Sequence, residues 1–507
     1  MRYSAILSLA TAISIVRLGA GANPLPQDAT PNSRVSKNTL AGCLQAAKAP
    51  LTTSSSADWA DQTRPYNARV SFAPAAVVIA TEAGHVQAAV RCGAQYGYKV
   101  TGRGGGHSYS SSGMGGENGH VVVRLDQMYA VTLQADNTAV VQAGARLGHV
   151  ATELLNQGGR AISHGSCPGV GVSGHVLHGG YGLSSHMYGL ALDWVLEVTV
   201  VVASGKIVKA SATQNPDLFW ALRGAGSSFG IVTEFKFNTF EAPDTLTVFK
   251  VPVPLKNQQK IVNMLVGYQK YTRDDIPAEL NIQLVVGPDS MGFGGMYYGG
   301  EDDVRSVLTA FLQPLGVDAS AGTYEVVDWM GQLEHNGGTP LDITGPEAAS
   351  DNFYASSLAT KEVPREAFKA FVDYLQNKAK TVQRGWFVLI DVHGGANSKT
   401  AQIDAASTAY AHRDKLFLWQ FYDSAGDAAY PANARQGTDF VKNWMATVSD
   451  RMTAPGAWGR YANYQDPLLP PDVAQNQYYM SSLARLRSLK AQYDPKGLFT
   501  YPQGVQA

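Results

Sequence analysis

Two glycine-rich stretches hold the residues best suited to chemistry. Residues 101–112 read TGRGGGHSYSSS, a glycine run that ends on His107. Residues 163–195 read SHGSCPGVGVSGHVLHGGYGLSSHMYGLALDWV and carry Cys167, four histidines and very few charges. A segment that gives up so many side chains lets its backbone approach something large and flat. A histidine and a cysteine set in two such walls are placed to bond to whatever lies between them.

Three shorter patterns in the same region point to other chemistries, and their context argues against each. Gly169 to Gly174 spells G-x-G-x-x-G, with Asp193 about 20 residues on, where a ribose-binding acid would stand. No apolar strand precedes it, and more glycine follows where a helix should open. Gly226-Ser227-Ser228-Phe229-Gly230 spells the hydrolase G-x-S-x-G, which needs a strand, a turn and a helix in that order. Here a helix (DLFWALR) comes first and a strand (IVTEFKF) last, so a tight glycine turn is the better reading. His164, His175, His178 and His186 lack the Asp, Glu or Cys partners of a recognised ligand spacing, so no metal is expected. Histidines in such a loop hydrogen-bond backbone or a cofactor.

The whole chain sets bounds on these sites. With 507 residues it has room for two or more cores. Charged residues are only 16% and the net charge is −1, so nothing suggests a nucleic-acid surface or an acidic tail. Arg2, the apolar run 5–16 and the Ala20-Gly21-Ala22 pattern form a secretory leader over 1–22, too short to span a membrane. Three cysteines are an odd number for an exported chain. Cys43 and Cys92 sit in apolar, helical surroundings and could form one disulfide. Cys167 is then left in its glycine loop, where a thiol in an oxidising compartment is a liability unless something occupies its sulfur.

The elements that must position these residues read as α+β. Before residue 242 the pattern predicts strands over 77–79, 99–102, 121–125 and 139–143, helices over 84–96 and 145–157, and a hairpin of 196–202 with 206–209. A short helix over 217–223 is capped from Asn215, and a strand follows over 231–237. After Pro243, alternating strands (246–253, 280–286, 293–298, 386–393, 415–421) interleave with amphipathic helices (261–271, 304–312, 366–378, 438–451). That pattern predicts an antiparallel sheet covered by helices on one side. A long helix over 477–493 closes the chain.

RGGGHSYSSSG and the Cys167 loop together resemble the berberine-bridge-enzyme-like flavoproteins of the vanillyl-alcohol-oxidase superfamily. Within them the likeness is to the fungal gluco- and chito-oligosaccharide oxidases. It continues through DLFWALRGAGSSFGIVTEFKF, HGGANSKTA, AYAHRDKLFLWQFYDS, YANYQDP and YDPKGLF, and so covers nearly the whole mature chain. The resemblance implies a two-part FAD-binding domain of p-cresol-methylhydroxylase type over 40–242 and a substrate domain over 243–460. A segment over 461–507 would return to the FAD domain. It also implies FAD attached twice, at His107 and Cys167, which leaves Cys43 to pair with Cys92. Arg103, Gly104, Gly105, Gly106, Ser108, Val170, Gly171, Gly174, Gly179 and Gly180 would line the cofactor.

By the same resemblance Tyr464 is the base for the sugar hydroxyl and Asp391 assists it. Tyr109, Gln283, Phe387, Leu389, Gln420 and Tyr461 line the sugar. Gln283 and Val285 replace an Arg and a Glu of the gluco-oligosaccharide oxidases, and Phe387 and Leu389 a Trp and a Gln. This neutral surface points toward the chito-oligosaccharide branch. The implied partners are an oligosaccharide and O₂, for a secreted monomer that binds no membrane. Two other readings share the loops: an oxidase of small secondary-metabolite alcohols or alkaloids, and an inert flavin-bearing protein that binds sugar.

Overall fold

A computed structural model describes residues 38–254, 256–345, 350–425 and 434–507, and the leader over 1–22 lies outside them. One apolar core gathers side chains from Leu40 to Phe237 and again from Ala474 to Val505. It encloses two sheets. In the first, Leu51–Thr52, Ala76–Ile79, Val121–Arg124 and Val100–Arg103 are neighbours in that order. Its last three strands are parallel, because helix Ala83–Tyr96 crosses back between two of them. The second is antiparallel, in the order Val131–Leu133, Ala139–Gln142, Ile231–Phe237, Val195–Val201 and Ile207–Ser211. Cys43 and Cys92 form a disulfide between helices Leu40–Ala46 and Ala83–Tyr96, with a Cα–Cα distance of 5.9 Å.

The second core lies under an eight-stranded sheet. Its strand order is Thr323–Val327, Leu246–Pro252, Met291–Tyr297, Leu280–Val286, Gly385–Val392, Phe417–Ser424, Phe353–Thr360 and Trp458–Gly459, and every pairing is antiparallel. Helices Gln258–Asp274, Glu301–Leu312, Arg365–Asn377 and Ala434–Ser449 supply the rest of this core. Strand period two decides what faces them. Ile282, Leu284, Val388, Ile390, Trp419 and Phe421 point into the helical layer. Gln283, Val285, Leu389, Asp391, Leu418 and Gln420 therefore share the other face. Register makes them neighbours, pairing Gln283 with Asp391, Val285 with Leu389, Leu389 with Gln420 and Asp391 with Leu418.

The pattern placed most of its predicted elements to within about a turn; strands Val131–Leu133 and Thr323–Val327 and helix Trp329–Gly337 were not foreseen, and four further features differ. Residues 172–177 form a helix directly after the glycine run, where no clear helix was expected. Asn215 sits at the N-cap of Pro216–Ala225 in left-handed conformation, but its amide donates to Lys209 O (2.6 Å) rather than capping the helix. The expected helix 477–493 is broken into Pro471–Tyr479 and Leu483–Tyr493, with Met480 at φ 40° between them. The cause is a competing bond: Arg460 N takes the Gln477 carbonyl at 3.0 Å, the acceptor that a continuing helix would need. Finally, strand Phe353–Thr360 was not foreseen, since FYASSLAT lacks alternation, yet all eight of its residues are buried.

Candidate active site

The two glycine stretches meet backbone to backbone. A Cβ on Gly105 would lie 2.3 Å from Gly171 N, and one on Gly171 would lie 2.1 Å from Gly105 N. Only a residue without a side chain permits that approach on either strand. Arg146 locks the contact. Its buried guanidinium donates to Gly105 O (3.1 Å) and to Gly169 O, and also to Gly345 O (2.9 Å). Nothing in AGARLGHV signals that role, because the three carbonyls come from three distant segments.

Between the loops runs a cavity of about 240 Å³ lined by Arg103 through Tyr109, Cys167, Val170, Gly171 and Gly174. His107 stacks on Tyr66 with ring centroids 4.2 Å apart. Arg103 fixes the backbone just before Tyr66, its guanidinium donating to Gln62 O (3.1 Å) and Arg64 O (2.7 Å). Arg103 thus lines the cavity and braces the segment that carries Tyr66. Ser108 turns its hydroxyl to Gln465 Oε1 at 3.0 Å. Cys167 is exposed, outside the disulfide, and borders both this cavity and the next.

Gly179 and Gly180 depart from expectation, since neither borders the cavity. They make room for Tyr461 instead: a Cβ on Gly179 would sit 2.8 Å from its ring, and Gly180 N donates to its hydroxyl at 2.9 Å. Tyr181 N and Asn463 Nδ2 donate to that same oxygen at 3.0 Å each. Tyr461 borders the second cavity, but its hydroxyl is saturated and anchors the loop rather than serving as a base.

The histidines confirm the backbone-binding reading. Gly165 N donates to His175 Nε2 at 2.9 Å, and burial pulls that ring down to about 3, so it is neutral. His164 Nδ1 binds Gly165 O (2.7 Å), His178 Nδ1 Gly174 O (2.9 Å) and His186 Nδ1 Ala278 O (3.3 Å). Among the described residues no three His, Cys, Asp or Glu side chains form a metal-holding group. Asp193 pairs with the Arg413 guanidinium, and Ser228 is fully buried with Oγ accepting from Val505 N at 3.0 Å. Neither is available to a ribose or a substrate.

A second cavity of about 270 Å³ opens from the first, sharing Tyr109, Cys167, Val170, His175, Asn463 and Tyr464. Gln283, Leu389, Asp391 and Gln420 line it from the outward sheet face, and Leu183 and Asn336 complete the wall. Phe387 falls two residues beyond it on the same face. It stacks on Tyr422, centroids 4.9 Å apart and planes 7° apart, and does not line the cavity. Gln420 Nε2 donates to Tyr109 Oη at 2.7 Å, and Tyr109 stacks on Tyr464 at 5.8 Å and 6°.

Tyr464 stands at the junction of the cavities with a hydroxyl that makes no hydrogen bond among the described residues. Burial, then the nearby Asp391 charge, raises it well above 10. Asp391 is 2% exposed and its Oδ2 has no partner among the described residues. Burial alone pushes its carboxyl up to about 8. The unforeseen strand Phe353–Thr360 explains how this loop is held. Ser357 Oγ accepts from Tyr461 N (3.0 Å), and Ser356 Oγ and Tyr354 Oη reach Asp466 Oδ2 (3.0 and 2.8 Å). Serine in a buried strand is therefore the attachment of the Tyr461–Tyr464 turn, and no local pattern reveals it.

The first cavity fits FAD on observations of its own. A Cβ on Gly174 would meet nothing within 4 Å, so the space beside it is open for a ligand. His178 Nε2 is buried and without a partner among the described residues, while Nδ1 holds its proton toward Gly174 O. It is an acceptor that suits a cofactor hydroxyl.

Comparison with known proteins agrees. Residues 74–211 match the family model of the FAD binding domain, and residues 460–506 that of berberine and berberine-like proteins. The chain is 42% identical over 483 residues to the chitooligosaccharide oxidase of Gibberella zeae, covering 94% of this chain and 96% of that one. It resembles the solved xylooligosaccharide oxidase of Myceliophthora thermophila, in complex with xylobiose, at TM-score 0.89 and 40% identity, over 92% and 99% of the two chains. The glucooligosaccharide oxidase of Acremonium strictum, which carries a 6-S-cysteinyl, 8α-N1-histidyl FAD, matches at the same score, identity and coverage. The chain belongs to the berberine-bridge-enzyme-like FAD-linked oxidases, among the fungal carbohydrate oxidases, and FAD is its cofactor.

Proposed function

We propose that the protein oxidises the reducing-end C1 hydroxyl of oligosaccharides to the lactone, chito-oligosaccharides foremost and cello- and malto-type chains as well. FAD is held through His107 and Cys167, and O₂ leaves as H₂O₂. The carrying observation is that Tyr464 and the buried Asp391 carboxyl line one cavity with Cys167. The cysteinyl and histidyl links of the Acremonium strictum enzyme support the two tethers, since His107 and Cys167 border one cavity here. The Cys43–Cys92 disulfide supports export to an oxidising compartment. Among the described residues no helix is long and apolar enough to cross a membrane.

The bound FAD supplies the acceptor for the C1 hydride and then the electron pair for O₂. Tyr464 takes the proton from the C1 hydroxyl. Even an unperturbed tyrosine is ionised only to about one part in a thousand at pH 7, and this one is raised further. It therefore accepts a proton only as it gives up its own, and Asp391 is the carboxylate that faces it across the cavity. A group held near 8 keeps a transferred proton well. Gln420 fixes the Tyr109 ring on which Tyr464 stacks. Gln283 and Leu389 present the sugar with a neutral amide and methyl surface that makes room for an N-acetyl group.

The test is anaerobic mixing of the purified protein with chitobiose, cellobiose, lactose and maltose, following the flavin absorbance. Bleaching by chitobiose faster than by the others is expected, with yellow peptides mapping to both His107 and Cys167 after denaturation. Saturable sugar binding without bleaching would establish an inert binding protein, and bleaching only by small non-sugar alcohols would establish the secondary-metabolite reading.

A further inference from the structure

Gln465 follows Tyr464 and is 5% exposed. Its Oε1 accepts from three hydroxyls of the loop that begins at His107: Ser108 at 3.0 Å, Ser110 at 2.5 Å and Ser112 at 3.1 Å. A carbonyl oxygen has two lone pairs, so this end of the amide is fully used. The loop is itself tied in place, with Ser112 N donating to Ser108 Oγ (3.1 Å) and Ser111 Oγ to Val70 O (2.5 Å). The Nε2 end has no partner among the described residues, and Gln465 lines the FAD cavity. With its oxygen turned to the serines, the amide has its two N–H groups left for the cavity.

We infer that Gln465 donates from Nε2 to the acceptor edge of the flavin ring and raises its reduction potential. The position favours the ring over the rest of the cofactor. Gln465 bonds the residues next to His107, where the ring is tethered, and adjoins Tyr464, where substrate is oxidised. Two-electron reduction adds negative charge to the ring nitrogens and carbonyls, and a fixed donor aimed at them stabilises that charge. The three serines are then the support that holds the donor, which accounts for a polar SYSSS run beside a cofactor wall. The inference rests on the tethered flavin proposed above.

The experiment measures the flavin potential of the holoenzyme by dye equilibration with a chemical reductant, in wild type, Gln465→Leu and Gln465→Glu. Gln465→Leu removes the donor and is expected to lower the equilibrium constant for two-electron reduction about tenfold, which is about 30 mV. Gln465→Glu keeps an oxygen for the serines and turns an acceptor or anion to the ring. It is expected to fall further, with a shifted visible spectrum and unchanged flavin content. Potentials of both variants within twofold of wild type, about 9 mV, would overturn the inference, and so would a loss in Gln465→Leu that Gln465→Glu restores. Peptide mapping reads the tethers and sugar mixing reads the activity, so failure of the proposed function is seen separately from this result.

Discussion

In the folded chain Asp391 is 2% exposed and burial pushes its carboxyl up to about 8, against about 3.9 in an unfolded chain. Because the folded pKa is the higher one, the folded state holds this proton more tightly. Stability from this group is complete below about pH 4 and is lost as pH rises through about 8. At pH 7 the gap is about three units, and at 1.36 kcal/mol per unit that is about 4 kcal/mol of lost stability. Asp391→Asn removes the ionisation. Its melting temperature is therefore expected to match wild type near pH 4 and to exceed it by several degrees at pH 8. The reaction moves the other way. With a pKa of about 8, roughly one-tenth of Asp391 is ionised at pH 7 and nine-tenths at pH 9. Anaerobic flavin reduction by sugar in wild type should rise about tenfold over that range. Asp391→Asn should be slower by about 10²- to 10⁴-fold and flat with pH. Thermal unfolding and stopped-flow absorbance on the same holoenzyme preparations give both numbers. A melting difference that does not change with pH, or a variant that keeps the tenfold rise, would refute the reasoning.

Tyr464→Phe should leave the flavin content unchanged and cut its reduction by sugar about 10²- to 10⁴-fold, and full activity in stopped-flow mixing would remove Tyr464 from the reaction. Gly171→Ala places a methyl 2.1 Å from Gly105 N. It should separate the loops, destabilise the fold by about 1–3 kcal/mol or more, and lower covalent flavin yield by absorbance after acid precipitation. Replacing both Cys43 and Cys92 by Ser opens a loop with a sequence separation of 49. It should cost about 4 kcal/mol by denaturant unfolding while both flavin-linked peptides persist.

Short-range pattern carried the glycine loops, the alternation of Ile282–Val286 and Val388–Val392, the leader pattern, and the resemblance that picked out Tyr464 and Asp391. These depend on residues close in the chain, so they are legible in one dimension. Sequence therefore determined the α+β class, the two walls that bear His107 and Cys167, and, through strand period, which side chains share a face with Asp391. Tertiary structure decided the rest. It put Arg146 on carbonyls from three segments and gave Asp193 to Arg413 instead of a ribose. It turned Gly179 and Gly180 from cofactor to Tyr461, and moved Phe387 out of the sugar cavity onto Tyr422. It buried FYASSLAT as a strand because the 461–466 turn supplies partners for its hydroxyls. In each case the deciding partner lies tens to hundreds of residues away, and a buried polar group takes whichever partner the fold brings to it.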